Sequence, residues 1–287
     1  MDLSTPQLAA LVAIADLGTF EAAARHLHVT PSAVSQRIRA LESAAGQVLV
    51  RRGTPCTPTA AGERLLAVAR QTELLLAEVQ TTPSVVDLPL AVNADSLATW
   101  WRPVIGEVAT WEDVTLRLHV EDQAFSSDLL RRGDVLAAVT SEPQAVQGCA
   151  VERLGTMRYL PATSRAFAQR WRTGRGYDWA AMPTVVFNDK DDLQHEVLRR
   201  RGLERARIVH RVPTSADFHE AVRLGLGWAA IPEPQLRPDL ESGDLVVISA
   251  RDHVDVELHW QRWRLDSPIL DRLTAAVRRA AAAALRR

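Results

Sequence analysis

The segment that decides the fold of the N-terminal part is residues 29–42, which read VTPSAVSQRIRALE. Thr30 is suited to cap a helix, and Pro31 fits the first helical position, where its missing N–H group would be unpaired in any case. Valine, isoleucine and leucine follow at helical spacing. The segment therefore predicts a well-defined helix with one buried apolar stripe.

The opposite face of this predicted helix is polar. Ser32, Ser35, Gln36 and Arg39 recur at i, i+3, i+4 and i+7, and Arg37 flanks them. Gln and Arg side chains read base edges in the major groove, and Ser contacts phosphates or bases. Every surface helix also has a solvated polar face, so this helix alone leaves both interpretations open.

The residues that follow favour nucleic-acid binding. Residues 47–53 (QVLVRRG) predict a short strand and a turn, so Arg51 and Arg52 would lie at the edge of a hairpin beside the helix. Between Arg25 and Arg52 there are five arginines and one acid, Glu42, a local balance of +4. The candidate DNA-binding residues are Thr30, Pro31, Ser32, Ser35, Gln36, Arg37, Arg39, Arg51 and Arg52.

The whole chain has no such excess of positive charge. Its 34 basic and 35 acidic residues give a formal net charge of -1, which excludes indiscriminate coating of nucleic acid or anionic membrane. Cys56 and Cys149 lie far apart without metal-ligand spacing, and neither a signal peptide nor a membrane-spanning run is recognisable. We therefore expect a cytoplasmic protein without disulfide, metal or cofactor.

Two further helices precede the polar one, at residues 5–15 and 21–27. With residues 19–24 (TFEAAA), 30–38 (TPSAVSQRI) and 57–62 (TPTAAG), the sequence resembles the LysR-type transcriptional regulators. That resemblance implies a winged helix-turn-helix, an effector-binding domain behind it, and a homo-oligomer, usually a dimer of dimers. We assign residues 1–59 to the DNA-binding domain.

Residues 60–84 predict a dimerisation helix followed by a hinge. The predicted seam has heptad spacing and consists of Leu65, Ala69, Thr72, Leu76 and Val79. The alternative is a helix packed on its own domain, which the additional apolar residues Leu66, Val68 and Leu75 would suit. Two recognition helices related by a two-fold axis would read a pseudo-palindromic site in double-stranded DNA.

The remaining residues predict an α/β domain. Short apolar runs typical of strands lie at residues 88–92, 115–120, 135–140, 184–187, 208–212, 228–231 and 245–248. Helical spacing recurs at residues 97–108, 125–132, 191–201 and 216–224. This alternation predicts parallel sheets covered by helices, in which ligands bind at the carboxyl ends of the strands.

Polar residues follow several of these strands and are the candidate effector-binding residues: Asn93, Asp95, Ser96, Thr99, Glu121, Asp122, Thr140, Asn188, Thr214 and Ser215. Ser96 and Ser215 can cap the next helix and so help to bind a carboxylate, or be caps and nothing more. Glu121 and Asp122 are candidates for an ammonium group. We interpret Asp189 as an ordinary surface acid.

The later segments resemble the ArgP/LysG branch of the same family. The resemblance rests on residues 93–100, 129–134, 225–228 and 260–265 and covers essentially the whole chain. It implies a basic amino acid as effector, L-lysine or L-arginine with L-histidine as a third candidate, and control of a gene such as an amino-acid exporter. The acidic strand ends agree with this implication.

We expect the effector domain to have two lobes. Residues 260–265 predict a strand that returns from the second lobe to the first, and residues 268–285 predict a helix packed on the first lobe. The predicted boundaries are 85–162 plus 266–287 for lobe I and 163–265 for lobe II.

Enzyme motifs are absent from the sequence. There is no GxSxG, P-loop, HExxH or calcium-loop motif, and we interpret Asp191 and His195 as a solvated i,i+4 pair. The prediction is a ligand-responsive transcriptional activator, with RNA polymerase as a further candidate partner and no membrane partner. The alternatives are the same regulator with another effector, such as an organic acid, or a solute-binding or enzyme domain.

Overall fold

The computed structural model describes residues 3–79, 85–120, 126–174 and 176–287 of the 287-residue chain. Its helices are α1 (Thr5–Leu17), α2 (Phe20–His26), α3 (Pro31–Ala45), α4 (Ala60–Val79), α5 (Ala94–Ala98), α6 (Arg102–Val108), α7 (Ser126–Arg132), α8 (Arg165–Arg170), α9 (Leu193–Arg200), α10 (Ser215–Arg223), α11 (Glu233–Ser242) and α12 (Pro268–Ala284). Its strands are β1 (Val50–Arg51), β2 (Thr57–Pro58), β3 (Val86–Val92), β4 (Val114–Val120), β5 (Ala137–Thr140), β6 (Cys149–Ser164), β7 (Arg172–Thr173), β8 (Gly176–Tyr177), β9 (Thr184–Val186), β10 (Val209–Arg211), β11 (Ala229–Pro232), β12 (Leu245–Val247) and β13 (Val254–Trp263).

Helices α1–α3 and the β1–β2 hairpin form the winged head, which confirms the predicted winged helix-turn-helix. The Thr30 hydroxyl accepts a hydrogen bond from the Ala33 amide at 3.2 Å, so the predicted cap starts α3. Val34, Ile38 and Leu41 form the buried stripe of α3 and pack with α1. The helix cap and the apolar stripe predicted from residues 29–42 are therefore both present in the folded head.

The effector domain is built on one mixed sheet. Within the described residues, its strands follow the order β11-β6-β13-β5-β3-β4, and β12 also pairs with β6. Strands β4, β3 and β5 are parallel to one another, whereas β13, β6, β11 and β12 pair antiparallel. The expected parallel rhythm is therefore correct for the first strands and for the separate β9–β10 pair, and wrong for the rest.

Two long strands join the two lobes. We call β3–β5 with α5–α7 and α12 the first lobe, and β9–β12 with α8–α11 the second lobe. Residues 259–262 of β13 pair with β5, and residues 159–164 of β6 pair with β11 and β12. The predicted two-lobed α/β architecture is confirmed, while the lobe boundaries given above stay a prediction.

The C-terminal helix closes the first lobe as expected. Helix α12 contacts α6 and β6, and the indole of Trp260 on β13 donates to the Thr274 hydroxyl at 3.2 Å. On the other face of β13, the buried Gln261 amide donates to the hydroxyl of Thr140 at 3.2 Å. One face of β13 therefore packs against α12, and the other face bonds to Thr140 at the end of β5. No helix in the described ranges is long and apolar enough to span a bilayer.

The linker helix α4 exposes an apolar stripe that coincides only in part with the predicted seam. Ala69 is fully buried in the core of the winged head, so it is unavailable to a second copy and does not fit the seam. Val68, Leu75, Leu76 and Val79 are exposed by 49%, 36%, 36% and 75%, so Leu76 and Val79 of the predicted seam lie on the exposed stripe. Ala69 does not, because the head covers that side of α4.

The winged head contacts the first lobe through a polar junction. Arg70 of α4 pairs with Asp16 of α1 and with Asp134, which follows α7, and Arg117 of β4 pairs with Asp87 of β3 at 2.8 Å. We call these residues, together with Glu73 of α4, the head–lobe junction. Carboxylates and arginines from three parts of the chain therefore meet at one place.

Replacing Glu73 by Gln is expected to stabilise the protein above neutral pH. Burial raises the pKa of Glu73 from 4.5 to about 7, and Asp16 and Asp87 add to this rise while Arg70 opposes it. The folded protein therefore binds this proton more tightly than the unfolded chain, and stability falls as pH rises from 4.5 to about 7. Because solvent still reaches the site, we expect a gain of about 1–2 kcal/mol at pH 8.

Urea unfolding of the Glu73→Gln variant and the parent at pH 8 and pH 5 measures this effect. The difference between the two proteins should shrink toward pH 5, because Glu73 is then protonated in the folded state. Burial lowers the pKa of His119, so this residue also makes stability depend on pH. Its contribution is the same in both proteins and cancels in the comparison. An equal difference at both pH values would contradict the prediction.

Candidate functional site

The exposed face of α3 carries the predicted base-reading side chains. Ser32, Gln36 and Arg39 are exposed, and Ser35 and Arg37 are partly buried beside them. Thr30 and Pro31 are exposed at the start of the helix, where the Thr30 hydroxyl also lies 2.9 Å from the Ser32 hydroxyl. The structure therefore places these residues on one accessible surface at the tip of the head.

The arginines of the head are not neutralised by neighbouring carboxylates. Arg51 and Arg52 are exposed on the wing, and the Arg52 guanidinium lies 5.2 Å from the centre of the Phe20 ring. Among the residues that the structure describes, none of the five arginines between positions 25 and 52 has a carboxylate within 4.0 Å. Glu42 accepts from the amides of Leu49 and Val50 at 2.9 and 3.3 Å. The head thus presents uncompensated positive charge to phosphates.

A cavity of about 370 Å³ lies between the two lobes. The first lobe contributes the residues that follow β3 and the end of β4, and the second lobe contributes the residues that follow β9 and the start of α9. Its lining consists of Asn93, Ala94, Asp95, Val120, Phe187, Asn188, Lys190, Asp191, Asp192, Leu193, Glu196, Phe218, Ala230 and Val254. The carboxyl ends of β3, β4 and β9 meet here, as parallel strands predict.

The cavity is acidic. Four carboxylates line it, those of Asp95, Asp191, Asp192 and Glu196, together with the ammonium of Lys190. Arg199, outside the lining, pairs with Asp192 at 3.5 Å and with Glu196. The side-chain oxygen Oδ1 of Asn93 is buried and has no hydrogen-bond partner among the described residues. An unpaired buried acceptor is costly, so this oxygen is suited to a donor on a ligand. The cavity therefore fits a cationic ligand with N–H groups.

Asp95 is held in place from the strand that joins the lobes. The hydroxyl of Tyr159 on β6 donates to Oδ2 of Asp95 at 2.9 Å, and Tyr159 is only 1% exposed. This bond fixes the orientation of the Asp95 carboxylate at the cavity wall. Tyr159 did not figure in the sequence prediction, because nothing in its local sequence indicates that β6 passes the cavity.

The acids of the second lobe were also missed. Asp191 is not a solvated partner of His195: its carboxylate accepts from the amides of Phe187 and Leu193 at 2.8 and 3.2 Å. Glu196 accepts from Arg200 at 2.7 Å and also pairs with Arg199. These acids belong to the start of α9, and only the folded chain shows that this helix faces Asp95.

Three of the predicted effector residues line the cavity and five do not. Asn93, Asp95 and Asn188 do; Glu121 and Asp122 lie outside the described residues; Ser96, Thr99, Thr140, Thr214 and Ser215 lie elsewhere. Ser96 accepts from the Trp100 indole at 2.9 Å, and Thr140 donates to the Glu142 carbonyl at 3.2 Å.

The other three serve the chain itself. The Thr99 hydroxyl donates to the Asp95 carbonyl at 2.6 Å, and Thr99 lines a separate groove between α5, α11 and α12. Thr214 rather than Ser215 caps α10, and Ser215 is the first residue of that helix. The Thr99 and Thr214 hydroxyls are therefore engaged by the chain's own helices.

Two smaller features complete the description of the site. Asp189 is exposed and pairs with Arg211 at 2.6 Å, as expected of a surface acid. Among the described residues, no three His, Cys, Asp or Glu side chains are grouped to hold a metal ion.

Comparison with known proteins assigns both parts of the chain. Residues 5–63 match the model described as "Bacterial regulatory helix-turn-helix protein, lysR family", and residues 87–282 match the model described as "LysR substrate binding domain". The lysine export transcriptional regulatory protein LysG of Corynebacterium efficiens is 49% identical over 282 residues, which cover 96% of this chain and 97% of the relative. The transcriptional regulator ArgP of Pseudomonas aeruginosa is 39% identical, covering 93% of this chain and 92% of the relative.

Solved structures agree with the fold. The full-length LysG of Corynebacterium glutamicum with bound effector Arg superposes with a TM-score of 0.81 at 45% identity, covering 99% of this chain and 100% of that one. ArgP of Mycobacterium tuberculosis superposes with a TM-score of 0.87 at 46% identity, covering 99% of both chains.

Proposed function

The chain belongs to the LysR family of bacterial transcriptional regulators, and from this premise we propose that it senses a basic amino acid and activates an amino-acid transport or export gene. The observation that carries the effector assignment is the acidic cavity between the lobes, with four carboxylates against one ammonium. The related LysG of C. glutamicum, solved with bound arginine, supports the same class of ligand.

The cavity suits arginine or lysine in size and charge. Its volume of about 370 Å³ is within the usual range for small-molecule sites. A side-chain guanidinium or ammonium would bind between Asp95 and the acids of α9, with Asn93 Oδ1 accepting one further N–H. The α-carboxylate of the ligand would pair with Lys190, so the side-chain cation and the α-carboxylate each have a partner of opposite sign.

The same charges argue against the alternatives. An organic acid would bring negative charge, and no positive charge, into a cavity lined by four carboxylates. Repulsion between like charges disfavours such a ligand. A solute-binding protein or an enzyme would leave the arginine-rich head without a role. We therefore place the chain with DNA in the cytoplasm, acting as a binding protein, with RNA polymerase as the partner of the activated complex.

Effector binding would change DNA engagement by favouring one arrangement of the lobes. A ligand shifts such an equilibrium only by its difference in affinity for the two arrangements. In this cavity Asp95 of the first lobe and the acids beside α9 of the second lobe line opposite sides. A cation bound between them would contact both lobes, so the closed arrangement is the one that a basic amino acid would stabilise.

Isothermal titration calorimetry of the full-length protein tests the effector. We expect binding heat with L-arginine or L-lysine, with L-histidine as the weaker third candidate. Citrulline, which has the shape of arginine without its charge, and succinate are the matched controls and should give no heat. Absence of heat with all three basic amino acids would overturn the assignment.

Dimerisation through the exposed stripe of α4 gives a separate prediction. Replacing Leu75 by Glu places a charge on the stripe of both copies, and a buried unpaired charge is strongly unfavourable. We expect the dimer dissociation constant to rise about a hundredfold or more, equivalent to about 3 kcal/mol.

Sedimentation analysis over a concentration series measures the shift toward monomer. Leu240→Glu is the control, because Leu240 is 39% exposed on α11, away from the linker helix. Equal association constants for the Leu75→Glu variant and the parent would exclude this face as the dimer contact.

A further inference from the structure

Arg70 is a nearly buried guanidinium that holds two parts of the chain together. Only 9% of it is exposed. Its Nη1 donates to the Gly133 carbonyl at 2.6 Å and to Asp134 Oδ1 at 3.0 Å, both in the first lobe, and its Nη2 pairs with Asp16 of the winged head. One side chain of the linker helix therefore joins the head to the effector domain.

Asp16 is shared between two arginines. Besides Arg70, it has Arg117 of β4 at 3.7 Å, and Arg117 in turn pairs with Asp87 of β3 at 2.8 Å. The head thus contributes one carboxylate to two cations, one on the linker helix and one on the first lobe. Movement of β4 relative to the head has to change this pairing.

The linker helix and the first lobe are in direct backbone contact at the same place. Gly133 has φ +71°, and a Cβ atom added there would lie 2.2 Å from the Cα atom of Ala67 on α4. No larger residue fits without displacing the helix. The close approach fixes the distance between α4 and Gly133, and therefore the distance from Arg70 to its acceptors. The helix and the first lobe cannot come closer together at this point.

Strand β4 extends from the cavity to this junction. On β4, Val120 lines the cavity and Arg117 lies three residues earlier in the junction, a separation of about 10 Å along the strand. Gly133, which accepts from Arg70, directly follows the last residue of α7. One described strand, β4, therefore carries both a cavity residue and a junction residue.

From these contacts we propose that Arg70 is an interdomain latch, which holds the winged head on the first lobe through Asp16, Gly133 and Asp134 and couples the effector cavity to the head. The latch rests on the proposed function only for the identity of the effector. Its chemistry requires arginine, because the guanidinium reaches its acceptors from two separate nitrogens held in one plane, whereas a lysine carries all its donors on one nitrogen.

The latch can be opened without leaving a carboxylate isolated. In an Arg70→Met variant, Asp16 keeps Arg117, and Asp134 keeps Arg132 at 2.9 Å. Methionine also retains the aliphatic contacts of the arginine stem. We therefore expect Arg70→Met to fold, with Arg70→Lys as the charge-conserving variant. Arg158→Met is the matched control, because Arg158 is paired with Asp255 away from the junction.

Hydrogen exchange of the full-length protein provides the test, with and without a DNA duplex from upstream of the gene for this chain. Low salt is used, so that backbone contacts alone give binding. Coupling is reciprocal, so DNA bound at the head should change exchange in β4 and α7 of the parent and of Arg158→Met. In Arg70→Met and Arg70→Lys we expect that change to be lost while DNA remains bound.

The second readout is the change in DNA affinity on adding L-arginine. In the parent we expect L-arginine to change the DNA affinity about fivefold or more. In the Arg70 variants we expect no change in DNA affinity, although calorimetry should still show that arginine binds. Retention of the DNA-induced exchange change in the Arg70 variants, or its absence in the parent, would overturn the latch.

The two proposals fail separately. If the parent gives no heat with arginine but the exchange change is lost in the Arg70 variants, the effector assignment is wrong and the latch stands. If circular dichroism shows Arg70→Met to be unfolded, Asp16→Asn decides instead, since it removes only the head's carboxylate. An unchanged exchange response in Asp16→Asn would then count against the latch.

Discussion

Replacement of Asp95 by Asn is expected to weaken binding of L-arginine about a hundredfold, with little change in folding. Asparagine has the same shape, and its side-chain oxygen can still accept from the Tyr159 hydroxyl, which lies 2.9 Å from Asp95 Oδ2. Only the charge is lost. A hydrogen bond to a charged group contributes about 1.5–3 kcal/mol, and the upper part of that range corresponds to a hundredfold in affinity.

Calorimetric titration with L-arginine measures this effect, and Asp113→Asn is the control. Asp113 is an exposed acid of the same lobe, outside the cavity lining. A Tyr159→Phe variant keeps the Asp95 carboxylate but removes the hydrogen bond that orients it, so it separates the effect of position from that of charge. We expect its affinity for L-arginine to fall about tenfold. If Asp95→Asn binds arginine as tightly as the parent, the cation is not held by this carboxylate.

Replacing both Arg51 and Arg52 by Ala is expected to weaken DNA binding and to reduce its salt dependence. Both are exposed on the wing and unpaired with any carboxylate of the described residues, so they are free to neutralise phosphates. Each phosphate contact contributes about 0.9 to the slope of log affinity against log salt. We therefore expect the slope to fall by about two and the affinity at physiological salt by about tenfold to a hundredfold.

Gel-shift titrations over a range of salt concentrations measure the slope. Arg237→Ala serves as the control, since Arg237 is an exposed arginine on α11 of the second lobe. The Arg51/Arg52 variant should lose affinity equally for specific and unrelated sequences, because phosphates carry no base identity. A slope equal to that of the parent would show that the wing does not contact the backbone.

The head was predictable because its signals are local. The cap at Thr30, the proline after it and the apolar stripe of α3 all lie within residues 29–42, and each acts over one or two helical turns. Strand β6 was missed because its stability comes from pairing with β13, about 100 residues later. Arg158 on β6 donates to Asp255 on β13 at 2.8 and 2.7 Å, so a charge that argues against a strand is neutralised only in the fold.

The candidate site was half predictable for a similar reason. Residues after β3 and β9 could be placed because parallel strands bring their carboxyl ends together. The acids of α9 could not, because their approach to Asp95 depends on how one lobe faces the other. Hydroxyl side chains such as Thr140 were mistaken for ligand contacts because the sequence does not show which polar groups the core itself requires.

The unbroken sheet that passes through both lobes has a mechanical consequence. Because β6 and β13 are hydrogen-bonded from Val254–Tyr159 to Trp263–Cys149, with one irregularity between Leu258 and His259, the lobes are not joined by a loose loop. Opening or closing the two lobes would have to change the twist of two paired strands. A bulge interrupts the regular pairing, so the twist changes more easily there. A rearrangement of the lobes would therefore act on both strands at once, and the irregularity between Leu258 and His259 is the point at which their pairing can change most easily.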